Sequence, residues 1–392
     1  MVSRQHPDKS SSFRRLVLTG QRLNRYCARQ GTGCHWSQVG PQRAADLPHS
    51  WIVFVNSVLR LAEADVSDWR ADVRAAGMTS AALLDRVGLR VGDLPCAIAE
   101  TAFPVRVPPH YLGLIRRGDP DDPLLAQVLA RGAELLDAPG TLTDPLAEAG
   151  FGMGQGILRK YRSRALLLAA GACAIHCRYC FRRHSDYGDT MLPAGAVDDA
   201  LAAIAAAPEI REVILSGGDP LMLSDTRLAA LLPAIAALPQ VTNIRIHTRM
   251  PTTVPARVTP ALCALLAGLG TPVVIVLHTN HAQELDGVVA AALADLRAAG
   301  VHLLNQSVLL RGINDTPPVA AAHARRLFAC GVLPYYTHLL DPVAGAAHFD
   351  VPLAEARALE AALRADLPGY LVPRFVREVP GADSKTPIWA LD

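Results

Sequence analysis

Residues 165–180 read Ala165-Leu-Leu-Leu-Ala-Ala-Gly-Ala-Cys173-Ala-Ile-His-Cys177-Arg-Tyr-Cys180. A short apolar run ends at a glycine and opens into a loop carrying three cysteines. An apolar run of this length, closed by Gly, reads as a buried strand. The same grammar repeats downstream. Strand-like runs at 165–169, 213–215, 243–247, 273–278, 302–309 and 334–339 alternate with Ala/Leu-rich stretches at 194–207, 225–237, 260–269, 284–299 and 317–330. In the latter the apolar residues recur at helical spacing. Six βα-type units in series predict an α/β fold with a parallel sheet and right-handed crossovers, either an open wound sheet or a full or partial barrel. Chemistry in such folds gathers at the C-terminal ends of strands, where the cysteine loop sits.

The rest of the chain bounds the class. It has 392 residues, 51% hydrophobic and 19% charged, with a net charge of +2. That is ample material for a large core and gives no bulk push towards nucleic acid or an anionic membrane. No apolar run reaches the roughly 18 residues of a membrane span, and the basic first 30 residues lack a secretory apolar segment, so a cytoplasmic protein is expected. Residues 1–50 read as a polar lead, disordered or belonging to a start placed too far upstream. Residues 51–150 read as a helical N-terminal region, 151–345 as the barrel, and 346–392 as a C-terminal segment. Only three of the 38 basic residues are lysines: Lys9, Lys160 and Lys385. In so arginine-rich a chain, a lysine raises the question of what only an amine can do.

Cys173, Cys177 and Cys180 form a C-x-x-x-C-x-x-C loop. Thiolates suit iron–sulfur clusters or zinc. A four-iron cluster normally takes four cysteines, so three leave one iron open. The amino and carboxylate groups of S-adenosylmethionine can chelate such an iron, and an injected electron can then release a 5′-deoxyadenosyl radical. A zinc knuckle would show a second cysteine pair, and an electron-transfer cluster a fourth ligand. The remaining cysteines, Cys27, Cys34, Cys96, Cys263 and Cys330, are scattered.

The loop and the Phe181-Arg182-Arg183-His184 that follows resemble the radical S-adenosylmethionine superfamily, and within it the lysine 2,3-aminomutases. The nearest match is the subfamily that makes (R)-β-lysine for modifying elongation factor P. The resemblance runs from about residue 103 to residue 387. It implies a partial (β/α)6-type barrel with an N-terminal helical region and a short C-terminal segment carrying a cofactor lysine. The implied cofactors are a 4Fe–4S cluster on the three cysteines, S-adenosylmethionine and pyridoxal 5′-phosphate.

Further motifs carry the resemblance. Ser216-Gly217-Gly218-Asp219 ends a strand and looks like the superfamily motif at the methionine amino group. Glycines there let backbone approach a ligand closely. The segment Arg245-Ile-His247-Thr-Arg249 would lie near the methionine carboxylate or ribose, through Arg249 or, alternatively, Arg245. His278 and Gln306 end later strands as cofactor contacts, a hydrogen-bonded core role being the alternative for each. Lys385, in a loop of small residues, resembles the lysine that carries pyridoxal phosphate, since an amine forms an imine and a guanidinium does not. Lys160, Tyr161 and Arg164 fall where the family holds the cofactor phosphate, although arginine is commoner at the position of Lys160. Arg182 resembles the arginine that takes the substrate carboxylate. Asp341 and Glu378 match the two acids that pair with the side-chain ammonium, the second being aspartate in the metabolic enzymes.

The resemblance implies conversion of (S)-α-lysine to (R)-β-lysine, with a low-potential electron donor of the flavodoxin or ferredoxin type. The product would pass to a ligase that modifies elongation factor P; neither nucleic acid nor membrane is implied as a partner. The metabolic enzymes carry a C-terminal cysteine cluster that binds zinc between subunits. This sequence stops seven residues after Lys385 without one. No zinc is therefore expected, and the family's usual tetramer is not implied. The stretch Gly345-Ala-Ala-His-Phe349 points to the same subfamily. The competing readings are a catabolic aminomutase for lysine or another amino acid, and a non-catalytic iron–sulfur protein.

Overall fold

Ten strands form one sheet in the order of the sequence. They are β1 (Gly152–Gly154), β2 (Ile157–Tyr161), β3 (Arg164–Ala170), β4 (Glu212–Gly217), β5 (Asn243–Thr248), β6 (Val273–Leu277), β7 (His302–Val308), β8 (Leu333–His338), β9 (Arg374–Arg377) and β10 (Thr386–Pro387). The computed structural model describes residues 68–90, 92, 94, 103–185 and 191–391. The lead expected over 1–50 lies outside them.

Strands β3 to β9 pair in parallel, while β1–β2–β3 and β9–β10 are antiparallel. The six expected strands are β3 to β8. The helices expected between them are Val197–Ala205, Asp225–Ala236, Pro260–Ala267, Gly287–Ala298 and Pro317–Ala329. Their starts are chemically marked. Ser224, Thr259 and Asp286 accept from backbone N–H groups three residues on, and Pro260 and Pro317 open their helices.

Alternation along the strands divides the sheet into two faces. Leu167, Leu215, Ile244, Ile246 and Ile275 point outward into the core beneath the helices. Leu166, Ile214, Arg245, His247 and Val276 point inward and line a cavity. Tyr161, at the end of β2, donates from its hydroxyl to Glu378, just past β9. Side chains from opposite ends of the sheet therefore meet, and the sheet curls into a partial barrel around the inward face.

Four strands and two helices, the short Met250–Thr253 and the longer Leu353–Asp366, lie outside the expected pattern. β2 (Ile-Leu-Arg-Lys-Tyr) and β9 (Arg-Phe-Val-Arg) are short and charged, with too few alternating apolar positions to register. Helix Leu353–Asp366 does carry a signal, with Ala356, Leu359 and Leu363 buried at helical spacing. β9 and β10 matter for the site. Their register pairs Thr386 with Arg377, which sets Lys385 and Glu378 next to each other where the connecting loop leaves the two strands.

The cysteine loop is braced from both sides. Ile175 packs into a cluster with Leu83, Val107, Tyr111, Leu124 and Leu129, and Tyr179 into another with Leu310 and Phe349. Arg178, fully buried, donates from Nε to Glu134 (2.8 Å) and from Nη1 to the Phe103 carbonyl (2.7 Å). Arg183 joins Glu134 as well and reaches the Gly345 carbonyl at 2.9 Å.

Candidate active site

A cavity of about 310 Å³ occupies the C-terminal ends of the strands. Cys173, Cys177 and Cys180 line it, and so does Lys385. The other candidate site residues border the same space: Lys160, Tyr161, Arg164, Arg182, the Ser216–Asp219 turn, Arg249, His278, Gln306, Asp341 and Glu378.

The turn after β4 explains its glycines. A Cβ on Gly217, at φ +114°, would lie 2.4 Å from the Ala170 carbonyl oxygen, and one on Gly218 2.5 Å from that of Ala172. Only glycine lets this turn pack against the start of the cysteine loop. Asp219 ties it to the end of β5, accepting from the backbone N–H of Arg249 (2.7 Å) and Met250 (3.1 Å) and from the Thr248 hydroxyl (2.7 Å).

Burial pushes the Cys173 thiol well up, with Asp219 and the other two thiols adding to it, and pushes Cys180 to about 11, with Cys177 adding to it. Metal binding by such thiols releases protons. Arg249 donates to Cys177 Sγ and, from its other arm, to Gln127 and Glu284 at 2.8 Å each. Its guanidinium thus reaches the cysteine wall from within a buried network. His278 bonds the Tyr179 hydroxyl (2.8 Å) and the Gln306 carbonyl (3.0 Å). Burial and the Arg249 charge bring it down to about 4, so it is neutral near pH 7.

The opposite wall carries the amine. Lys385 Nζ pairs with Glu378, whose other oxygen accepts from Tyr161, and the Tyr336 ring lies 5.9 Å away. Lys160 Nζ is 3.3 Å from Glu148, and the Arg164 guanidinium stands over the Tyr161 ring. Asp341 Oδ1 is buried without a hydrogen-bond partner. Burial raises its carboxyl to about 7, against the pull of Lys385. His247, His338 and Gln306 likewise leave Nε2 unpartnered beside the cavity.

Comparison with known proteins fits this arrangement. Residues 168–324 match the radical SAM superfamily. The chain is 47% identical over 290 residues to the L-lysine 2,3-aminomutase of Escherichia coli (strain K12), covering 74% of this chain and 84% of that one. It is 42% identical over 320 residues to the L-lysine 2,3-aminomutase of Haemophilus influenzae, covering 81% and 95%. The Clostridium subterminale L-lysine 2,3-aminomutase is 35% identical over 330 residues, covering 84% and 79%. The chain belongs to the L-lysine 2,3-aminomutase family.

This aminomutase is therefore an isomerase, and its superfamily brings a 4Fe–4S cluster and S-adenosylmethionine. The donor set suits such a cluster. Thiolates that each bind a different iron need not converge on one point, and among the described residues no three His, Cys, Asp or Glu side chains converge as a single ion requires. No helix among the described residues is long and apolar enough to cross a membrane.

Several cavity residues of the aminomutase escaped the sequence reading. Glu148 is the most consequential, since both its oxygens accept from Arg182 at 2.8 Å. His247 had a signal available, as it ends β5 facing inward two residues before Arg249. His338 ends β8 in the same manner. Tyr179 had none, nor did Gln127 and Glu284 in the network behind the cavity wall, because buried polar networks follow no sequence period.

Proposed function

We propose that this aminomutase converts (S)-α-lysine to (R)-β-lysine with pyridoxal 5′-phosphate held at Lys385. The observation that carries the reading is the cavity shared by three thiols and the Lys385 amine, with Asp341 Oδ1 buried and unpartnered between fixed charges. Cys173, Cys177 and Cys180 would hold the cluster with one iron left to a further ligand, and the Ser216–Asp219 turn lines the same cavity. Arg249, His278 and Gln306 would serve S-adenosylmethionine, directly or by shaping its wall. An aldehyde cofactor, bound as an imine, supplies a conjugated system over which an unpaired electron can spread. Tyr161 stays protonated under burial and the neighbouring Glu378, and with Lys160 and Arg164 it forms a cationic, donor-rich corner suited to a phosphate.

The protein's own part is selection and placement. Arg182 offers a guanidinium fork to a carboxylate. Asp341 and Glu378 offer two carboxylates to the distant ammonium, and Lys385, once engaged by the cofactor, would leave Glu378 open to it. An uncharged amino acid would leave Asp341 buried and unpaired, so it is rejected by the cost of that vacancy. Leu166, Ile214, Val276 and Leu340 wall the space with apolar surface that keeps water from a reactive carbon.

Lys385→Ala is expected to abolish the pyridoxal absorbance of anaerobically reconstituted protein while the cluster spectrum stays intact. Undiminished pyridoxal absorbance in that variant would overturn the assignment. We place the product in the modification of elongation factor P, supported by Glu378 at the second acidic position and by the Gly345–Phe349 stretch. The chemistry also asks for a low-potential electron donor and a ligase that consumes β-lysine, all within the cytoplasm. Deleting the gene should lower the mass of elongation factor P by one β-lysyl group. An unchanged mass would instead favour a catabolic role.

A further inference from the structure

Glu148 sits among the cavity's positive charges. It meets Nε and Nη2 of Arg182 in the two-pronged geometry that is the strongest contact a guanidinium makes with a carboxylate. The remaining arm, Nη1, donates to Ser216 Oγ and the Gly217 carbonyl, both at 3.1 Å. The bidentate edge of Arg182 is therefore filled by the protein itself, and a substrate carboxylate cannot use it while Glu148 stays.

The backbone is built to put Glu148 there. Ala147, just before it, has φ 50° and is the one non-glycine residue with positive φ among the described residues. That conformation costs an alanine about 1 kcal/mol. Asp144 fixes the turn by accepting from the N–H groups of Glu148 (3.1 Å) and Ala149 (3.4 Å). Backbone strain held beside a ligand-facing side chain indicates a position set by function rather than by local preference.

We propose that Glu148 is the resident carboxylate of the Arg182 fork, and that the substrate's α-carboxylate enters by exchange, Glu148 falling back on Lys160. The proposal rests on the reading of Arg182 as the carboxylate site. Exchange keeps the buried arginine paired at every stage, and Lys160, 3.3 Å away and with three N–H donors, keeps the displaced Glu148 paired while sharing the cofactor phosphate with Tyr161 and Arg164. It also acts as a filter. A diamine without a carboxylate leaves Glu148 in place and gains nothing from Arg182, so Glu148 is a specificity-determining residue.

The test uses holoenzyme loaded anaerobically with cluster, S-adenosylmethionine and pyridoxal phosphate, without reductant, titrated calorimetrically with L-lysine and with 1,5-diaminopentane. Glu148→Gln ends the competition for the fork, so lysine should bind about tenfold more tightly and the diamine no more tightly. Glu148→Asp, still anionic, should stay nearer the parent enzyme, which separates charge from a folding defect. Unchanged or weaker lysine binding in Glu148→Gln would overturn the proposal, as would equal tightening of both ligands. The underlying reading fails visibly and separately: Arg182→Met should weaken lysine by about tenfold or more and spare the diamine. If lysine is indifferent to that change, Arg182 is not the carboxylate site.

Discussion

Asp341 concentrates the electrostatic argument in one side chain. Its carboxyl titrates near 7 because burial outweighs the nearby Lys385 amine. A cation bound against it favours the ionised form, so binding must release a proton whenever the site starts protonated. Lysine affinity of the holoenzyme should therefore rise with pH up to about 7 and level off above, with a slope below that point of up to about tenfold per pH unit. Asp341→Asn should flatten the profile and weaken binding above pH 7, measured by calorimetric titration across pH. The residues carrying the site were legible because each has a chemical oddity: three close thiols, a rare lysine, acids and arginines at strand ends. Glu148 has none. Its role comes from a strained alanine and a partner 34 residues away, neither of which spacing reveals.

Elements place these groups, and the cysteine loop shows what holding it requires. Arg178 and Arg183 share Glu134, and all three side chains are almost wholly withdrawn from solvent. Glu134→Gln would leave two buried guanidinium groups short of their counter-charge, a loss of about 3–5 kcal/mol for a broken buried pair. The expected outcome is a lower denaturation midpoint together with reduced iron per chain after reconstitution. Full iron loading at unchanged stability would show that the loop stands without its brace. The βα units were readable because apolar runs and helical periods persist for whole elements. The hairpins at either end of the sheet were not, since β2 and β9 are charged and pair with neighbours that sequence alone does not identify. Those hairpins bring Tyr161 to Glu378 and Glu378 to Lys385, so the site's geometry depended most on the least legible elements.

Across the whole molecule, the cavity's charges form two internal pairs that mirror the two ends of lysine. Glu148 fills Arg182 as a carboxylate would, and Lys385 fills Glu378 as an ammonium would. With Lys385 engaged by the cofactor and Glu148 moved to Lys160, lysine would take both places, provided its length matches their separation. In the proposed reading, that match would also set its β-carbon towards the cysteine wall. The most direct measurement follows a hydrogen atom. Anaerobic holoenzyme is given lysine deuterated at the β-carbon, with dithionite, and recovered S-adenosylmethionine and product are analysed by mass spectrometry and chiral chromatography. A shared cavity predicts deuterium at the 5′ position of S-adenosylmethionine and (R)-β-lysine as product. Loaded cofactors with no deuterium transferred would contradict it.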